Sequence, residues 1–149
     1  MRAIVQRVSE GGVEIHFKNY SEQIRNGLVI LLGIKIGDSE EDVNFVADKC
    51  SSLRIFSDEN EKMNLSVKDI NGEMLIISQF TLYGDTRKGN RPSFIEAAKP
   101  EEAIPLYEKF IKRVKLNIGG SKVKTGIFGE MMSVKIINDG PVTVIVESK

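Results

Sequence analysis

Leu28-Val29-Ile30-Leu31-Leu32-Gly33-Ile34 is an unbroken apolar run, and no other stretch of the chain restricts folding as strongly. A strand with one wet face alternates apolar and polar residues; a run without alternation reads as a strand covered on both faces. It is too short to cross a membrane, which takes roughly 18 residues or more. The cover therefore has to come from the rest of the 149 residues. That length suits one domain at ~100–200 residues each, enough to bury about two-thirds of the unfolded surface.

The flanking segments supply the layers. Arg2 to Val8 reads as an opening strand, and Gly11-Gly12 as a turn. Val13-Glu14-Ile15-His16-Phe17 alternates strictly, with His16 opposite the apolar face. Asp38 or Ser39 caps a helix whose first turn holds Glu40, Glu41 and Asp42, where the helix dipole favours negative charge. Val43, Val46, Ala47, Cys50 and Leu53 then recur at helical spacing. Ser57 to Lys62 is a polar turn, and Asn71-Gly72 signals a hairpin into a strand from Glu73 to Phe80. A second helix follows Pro100, with Ile104, Tyr107, Phe110, Ile111 and Val114 on one face and Gly119-Gly120 at its end. Val123–Thr125, Met132–Ile137 and Val142–Glu147 read as closing strands, the last two separated by the turn Asn138-Asp139-Gly140-Pro141. The expected fold is α+β: a single domain over residues 1–149 with a largely antiparallel sheet or split β-barrel and two main helices.

Composition removes several chemistries. One Cys cannot form an intrachain disulfide or a multi-Cys zinc site, and one His rules out His clusters, so no metal or cofactor is expected. Cys50 lies on the apolar helix stripe and reads as a core residue; His16 has no nucleophile motif nearby and reads as a surface or structural residue. No P-loop or G-x-G-x-x-G pattern is present, and no carboxylate spacing singles out an acid/base pair. The N-terminus lacks the apolar core of a signal peptide, which makes a cytoplasmic protein without membrane association the expectation. The charge is balanced at 21 basic and 21 acidic residues, but unevenly: residues 1–83 carry 9 Lys+Arg against 13 Asp+Glu, and residues 84–125 carry 10 against 5. The basic stretch reads either as a solvated helix face and loop or as a surface for a phosphate backbone.

Two segments stand out. Ser78-Gln79-Phe80-Thr81-Leu82-Tyr83 places hydroxyls and an amide where a buried strand gives way to the basic loop Gly84 to Phe94. It is either a strand cap or a site for orienting a polar ligand. Asn138-Asp139-Gly140-Pro141-Val142-Thr143 is either a simple turn or a place where an X-Pro bond re-aims its carbonyls.

Together with Met1 to Val8, Leu53-Arg54-Ile55-Phe56, Lys62-Met63-Asn64-Leu65 and Arg91-Pro92-Ser93-Phe94, these motifs make the whole chain closely resemble the D-aminoacyl-tRNA deacylases, also called D-tyrosyl-tRNA deacylases. No motif position departs from the family pattern. The resemblance implies hydrolysis of the ester between a D-amino acid, or mischarged glycine, and the 3′ acceptor end of tRNA, by a homodimer with its active site at the interface. It also implies that Ser78, Gln79, Phe80 and Thr81 form the catalytic pocket and that Gly140-Pro141 is a Gly-cis-Pro chirality motif contributed across the interface. Arg7 would hold that motif, and Met132 would line the pocket near the terminal adenosine.

Chemistry is compatible with these assignments. The ribose hydroxyl beside the ester can activate water, and main-chain N–H groups at Phe80 and Thr81 can stabilise the oxyanion. Thr81 as nucleophile is the alternative, although no base adjoins it in sequence. Two other classes compete: a non-catalytic RNA-binding module using the basic stretch, and a small-molecule esterase, which lacks the G-x-S-x-G elbow.

Overall fold

The computed structural model describes all 149 residues. Its elements in chain order are β1 (Arg2–Ile15), β2 (Tyr20–Ile24), β3 (Gly27–Gly33), α1 (Glu40–Ser52), β4 (Phe56–Ser57), β5 (Met63–Leu65), β6 (Glu73–Ser78), α2 (Pro100–Ile118), β7 (Val123–Thr125) and β8 (Ser133–Glu147). The main sheet runs β2-β1-β3-β6-β7, with β8 along the other edge of β1. Pairings of β1 with β2, β3 and β8 are antiparallel, while β3–β6 and β6–β7 are parallel. The ends of the sheet curl toward each other: Tyr20 Oη donates to the Thr125 carbonyl at 2.7 Å, and Lys124 pairs with Glu22 at 3.3 Å. The expected α+β domain with two main helices and a largely antiparallel, barrel-like sheet is what the chain forms.

The central apolar run is β3, and it is covered on both faces. Leu28, Ile30 and Leu32 join a large core with Ala3, Val5, Met74, Ile76 and the helix residues Val46, Cys50, Phe110 and Val114. Val29 faces the opposite way, into a smaller core inside the curled sheet with Val8, Val13, Ile24, Leu75 and Ile77. Helix α1 starts as its sequence demands, with the Asp42 carboxylate accepting from the Ser39 backbone N–H at 2.7 Å and the Ser39 hydroxyl at 2.8 Å. Its partner α2 buries Ala103, Tyr107, Phe110 and Val114, so Ala103 takes the place expected for Ile104, which stays exposed. Arg113 grips both Asp48 oxygens, at 2.8 and 2.7 Å, tying the helices together.

Three expected turns are resolved differently. Gly11-Gly12 lies inside the continuous strand β1, bent by register shifts between Gln6 and Glu10. The glycine there serves close packing: a Cβ on Gly11 would stand 2.7 Å from Val29 Cγ2. Ser57 to Lys62 does join a hairpin, β4–β5, but Asn71-Gly72 does not. Asn71 takes a left-handed φ of 54° and turns the chain into β6, which pairs in parallel with β3 rather than back on β5. Likewise Asn138 to Pro141 lies within one long strand, β8. Val8 faces Asn138 and Gln6 faces Thr143, so residues 139–142 bulge out opposite Arg7 alone. Beyond Ile15 the chain leaves the sheet, and Phe17 is fully exposed in a 3-10 turn instead of continuing the apolar face.

Candidate active site

Strand β6 enters the core and ends at the site. Its last pairing sets Leu32 beside Ser78, and the Gln79 N–H donates to the Leu32 carbonyl at 2.8 Å before the chain turns into a 3-10 helix at Phe80–Tyr83. Buried Tyr83 anchors that turn under the Arg2 guanidinium, 5.0 Å from its ring, while Arg2 Nη1 donates to the Leu82 carbonyl at 2.9 Å. Anchoring residues 82 and 83 inward leaves Phe80 and Thr81 facing outward. Bonds in the turn start with the Leu82 N–H donating to the Gln79 carbonyl, so the Phe80 and Thr81 amides precede the first bonded N–H of the turn.

These residues form one wall of a cleft of about 370 Å³. Ser78, Gln79, Phe80 and Thr81 line it together with Met132. On the opposite wall, Phe128, Gly129 and Glu130, which lead to Met132, were not marked by any sequence pattern. The signal for this wall is a steric one, since a Cβ on Gly126 would collide with the Met132 sulfur. Glu130 is the one ionisable side chain lining the cleft, and Lys18 neutralises it at 2.6 Å. Gln79 Nε2 donates to Thr81 Oγ1, which fixes the hydroxyl and leaves its proton free to be donated into the cleft.

No strong base stands near these groups. His16 lies on the outer surface and lines no part of the cleft. Burial pushes the Cys50 thiol up to about 12, so it stays protonated inside the helix layer. Burial, followed by the charge of Asp38, raises the Tyr83 phenol as well. The cleft can therefore offer hydroxyl, amide and main-chain donors, but not a side-chain dyad.

Arg7, Gly140 and Pro141 form a second cluster that does not line this cleft. The Gly140-Pro141 bond is cis. Buried Arg7 donates from Nη1 to the Ile55 carbonyl at 2.6 Å and from Nε to the Asp139 carbonyl at 3.1 Å, bracing the bulge. Asn138 closes its other side: Oδ1 accepts from the Val142 N–H at 3.2 Å, and Nδ2 donates to Gln6 Oε1. Gly140, at φ 126°, has no room for a side chain, since a Cβ would lie 3.0 Å from Arg7 Nη2.

A nearly closed mixed sheet with two helices over one face, and a cleft of main-chain and hydroxyl donors at the end of β6, mark a chain of the D-Tyr-tRNA(Tyr) deacylase family. The family model matches residues 4–147, and the chain belongs to that family. Among particular relatives, it is 54% identical over 149 residues to the D-aminoacyl-tRNA deacylase of Flavobacterium psychrophilum, covering 100% of this chain and 98% of that one. To the protein of the same name from Cytophaga hutchinsonii it is 56% identical over 149 residues, with the same coverage. A solved structure described as c-Myc DNA Unwinding Element Binding Protein superposes with a TM-score of 0.93 at 37% identity, covering 100% of this chain and 99% of the other.

Proposed function

We propose that this chain, acting as one domain over residues 1–149, hydrolyses the ester joining a D-amino acid or glycine to the 3′-terminal ribose of tRNA in the cytoplasm. The observation that carries this is the composition of the cleft: Ser78 to Thr81 and Met132 converge there, and its one carboxylate is already ion-paired. Such a pocket suits a substrate that brings its own activating group. The ribose 2′-hydroxyl next to the ester positions and polarises the attacking water. The Phe80 and Thr81 amides receive the developing oxyanion, each donor of this kind being worth roughly 3–4 kcal/mol in hydrolases. Thr81, held by Gln79, orients the substrate, and Met132 packs on the terminal adenosine.

Chirality is read by the Gly140-Pro141 carbonyls, which accept from the substrate amino group and leave no space for an L side chain. They lie outside their own chain's cleft, which favours a homodimer in which each bulge serves the partner's pocket. The exposed Ile137 and Ile145 on β8, an edge strand paired with β1 alone, fit that interface.

The test is deacylation of matched D- and L-aminoacyl-tRNA, each with a ribo- or 2′-deoxy-terminal adenosine. Release from the D ribo substrate, its loss in the 2′-deoxy substrate and inertness of the L substrate are expected. Thr81→Ala should lower kcat without abolishing turnover. Equal hydrolysis of D and L esters, or full activity without the 2′-hydroxyl, refutes the mechanism.

A further inference from the structure

The deacylase cleft leaves unused a group of basic residues beside it, on the segment that follows the Ser78–Thr81 wall. Residues 85–93 form a closed loop: the Asp85 N–H donates to the Ser93 carbonyl at 2.8 Å, and the Ser93 N–H donates back to the Asp85 carbonyl at 2.9 Å. The loop is fastened to the cleft, because Phe94 meets the cleft residue Phe80 edge-on with ring centroids 5.2 Å apart. On its far side, Ala98 and Ala103 line the cleft around the start of α2. The span from Gly84 to Pro100 is thus rooted at the pocket mouth at both ends.

Its charges are unevenly satisfied. Both carboxylates are occupied: Asp85 takes the Arg87 guanidinium through Nε at 2.9 Å and Nη2 at 2.8 Å, and Glu96 pairs with Lys35 at 3.5 Å. Lys88, Arg91 and Lys99 are exposed and have no acidic partner. A seven-residue loop with a fixed base can carry its tip at most roughly 10 Å from that base, at ~3.3 Å per residue over half its length. Three unpaired cations on so short a span repel one another, an arrangement that favours a polyanion laid across them.

We infer that Lys88, Arg91 and Lys99 bind the phosphodiesters of the single-stranded 3′ end of the RNA substrate, holding its terminal nucleotide in the cleft. The inference rests on the deacylase assignment and adds a role for residues outside the reacting centre. Arg87, neutralised by Asp85, stiffens the loop and does not contact phosphate. Aromatic Phe80 and Phe94, both exposed at the root of the loop, offer faces for unstacked bases beside the cations.

The experiment compares D-tyrosyl-tRNA with the phosphate-free ester 3′-O-(D-tyrosyl)adenosine, using wild type and the triple variant Lys88→Gln/Arg91→Gln/Lys99→Gln. A control variant, Lys68→Gln, makes the same change before β6, at the far end of that strand from the cleft. For the triple variant, KM for the tRNA substrate should rise at least tenfold with kcat within twofold of wild type. The slope of log(kcat/KM) against log salt should flatten by about 2, at ~0.7 per single-strand phosphate contact. Hydrolysis of the adenosine ester should stay within twofold, and Lys68→Gln should match wild type throughout. An unchanged KM and salt slope, or an equal loss on both substrates, overturns the phosphate sites while the deacylase assignment stands. Failure of wild type on both substrates overturns that assignment, and this inference with it.

Discussion

Replacing Arg7 by Met keeps much of the side-chain bulk and removes both hydrogen bonds of the Arg7 guanidinium, leaving only the Asn138 bonds on the other side of the Gly140-Pro141 bulge. The Ile55 carbonyl, buried, loses the Nη1 donor at 2.6 Å, and the Asp139 carbonyl loses Nε at 3.1 Å. A buried acceptor left without a partner costs ~1–3 kcal/mol, and a partly solvated one about 1 kcal/mol because water substitutes. The sum is a loss of about 2–4 kcal/mol. The ion pair of Arg7 with the Asp139 carboxylate, 3.3 Å apart, contributes little of this because the Asp139 side chain is 57% exposed. Asp139→Asn should accordingly cost no more than about 0.5 kcal/mol. Urea unfolding monitored by circular dichroism measures both, with an unchanged m-value as the sign that stability alone has moved. If Asp139→Asn proved as damaging as Arg7→Met, or if Arg7→Met cost under about 0.5 kcal/mol, carbonyl bracing would not be what the arginine does.

Two further outcomes follow from the geometry. Gly11→Ala forces a methyl to 2.7 Å from Val29 Cγ2 and 3.1 Å from Ile24 Cγ1 and should destabilise the smaller core, by about 1–3 kcal/mol in thermal or urea unfolding, as overpacking does. The Arg87 side-chain bonds, followed by its backbone N–H, hold the Asp85 carboxyl down at about 2 from an ordinary 3.8. A depressed carboxylate stabilises the folded state above its ordinary pKa, and that support is lost as pH falls toward 2. The 85–93 loop should therefore keep its closing bonds through mild acid, and NMR titration should show the Asp85 midpoint moving back up in Arg87→Gln.

How far the sequence foretold this molecule depended on how local the deciding interaction was. The run 28–34 announced a strand with two covered faces because every residue in it is apolar, and the cap candidates Asp38 and Ser39 with the acidic first turn announced a helix start because all lie within one turn, Ser39 proving to be the cap. Gly11-Gly12 and Asn138 to Pro141 carried turn chemistry that cross-strand pairing overrode: β1 and β8 match along their whole lengths, and a bulge absorbs the irregular residues. Asn71-Gly72 did turn the chain, but no local rule says which strand the next one will join. Residues 78–81 and 132, which line one cleft, were singled out through resemblance to a family rather than through their spacing. The wall at 128–130 was not, because it becomes a wall only when β7 and β8 bring it opposite β6.

The β8 bulge has a consequence for what sequence change the chain can tolerate. Before it, even-numbered Val134 and Ile136 pack into the small core; after it, even-numbered Val142, Val144 and Val146 pack into the large one. The two cores lie on opposite sides of the sheet, so the bulge acts as a half-period phase shift in the alternation of one strand. Deleting or inserting a single residue there would cancel the shift and turn one arm of β8 inside out, putting valines in water or Lys135 and Thr143 into a core. The length of this segment is thus fixed by folding before catalysis asks anything of it. Chains that lost the activity would still be expected to keep the irregularity.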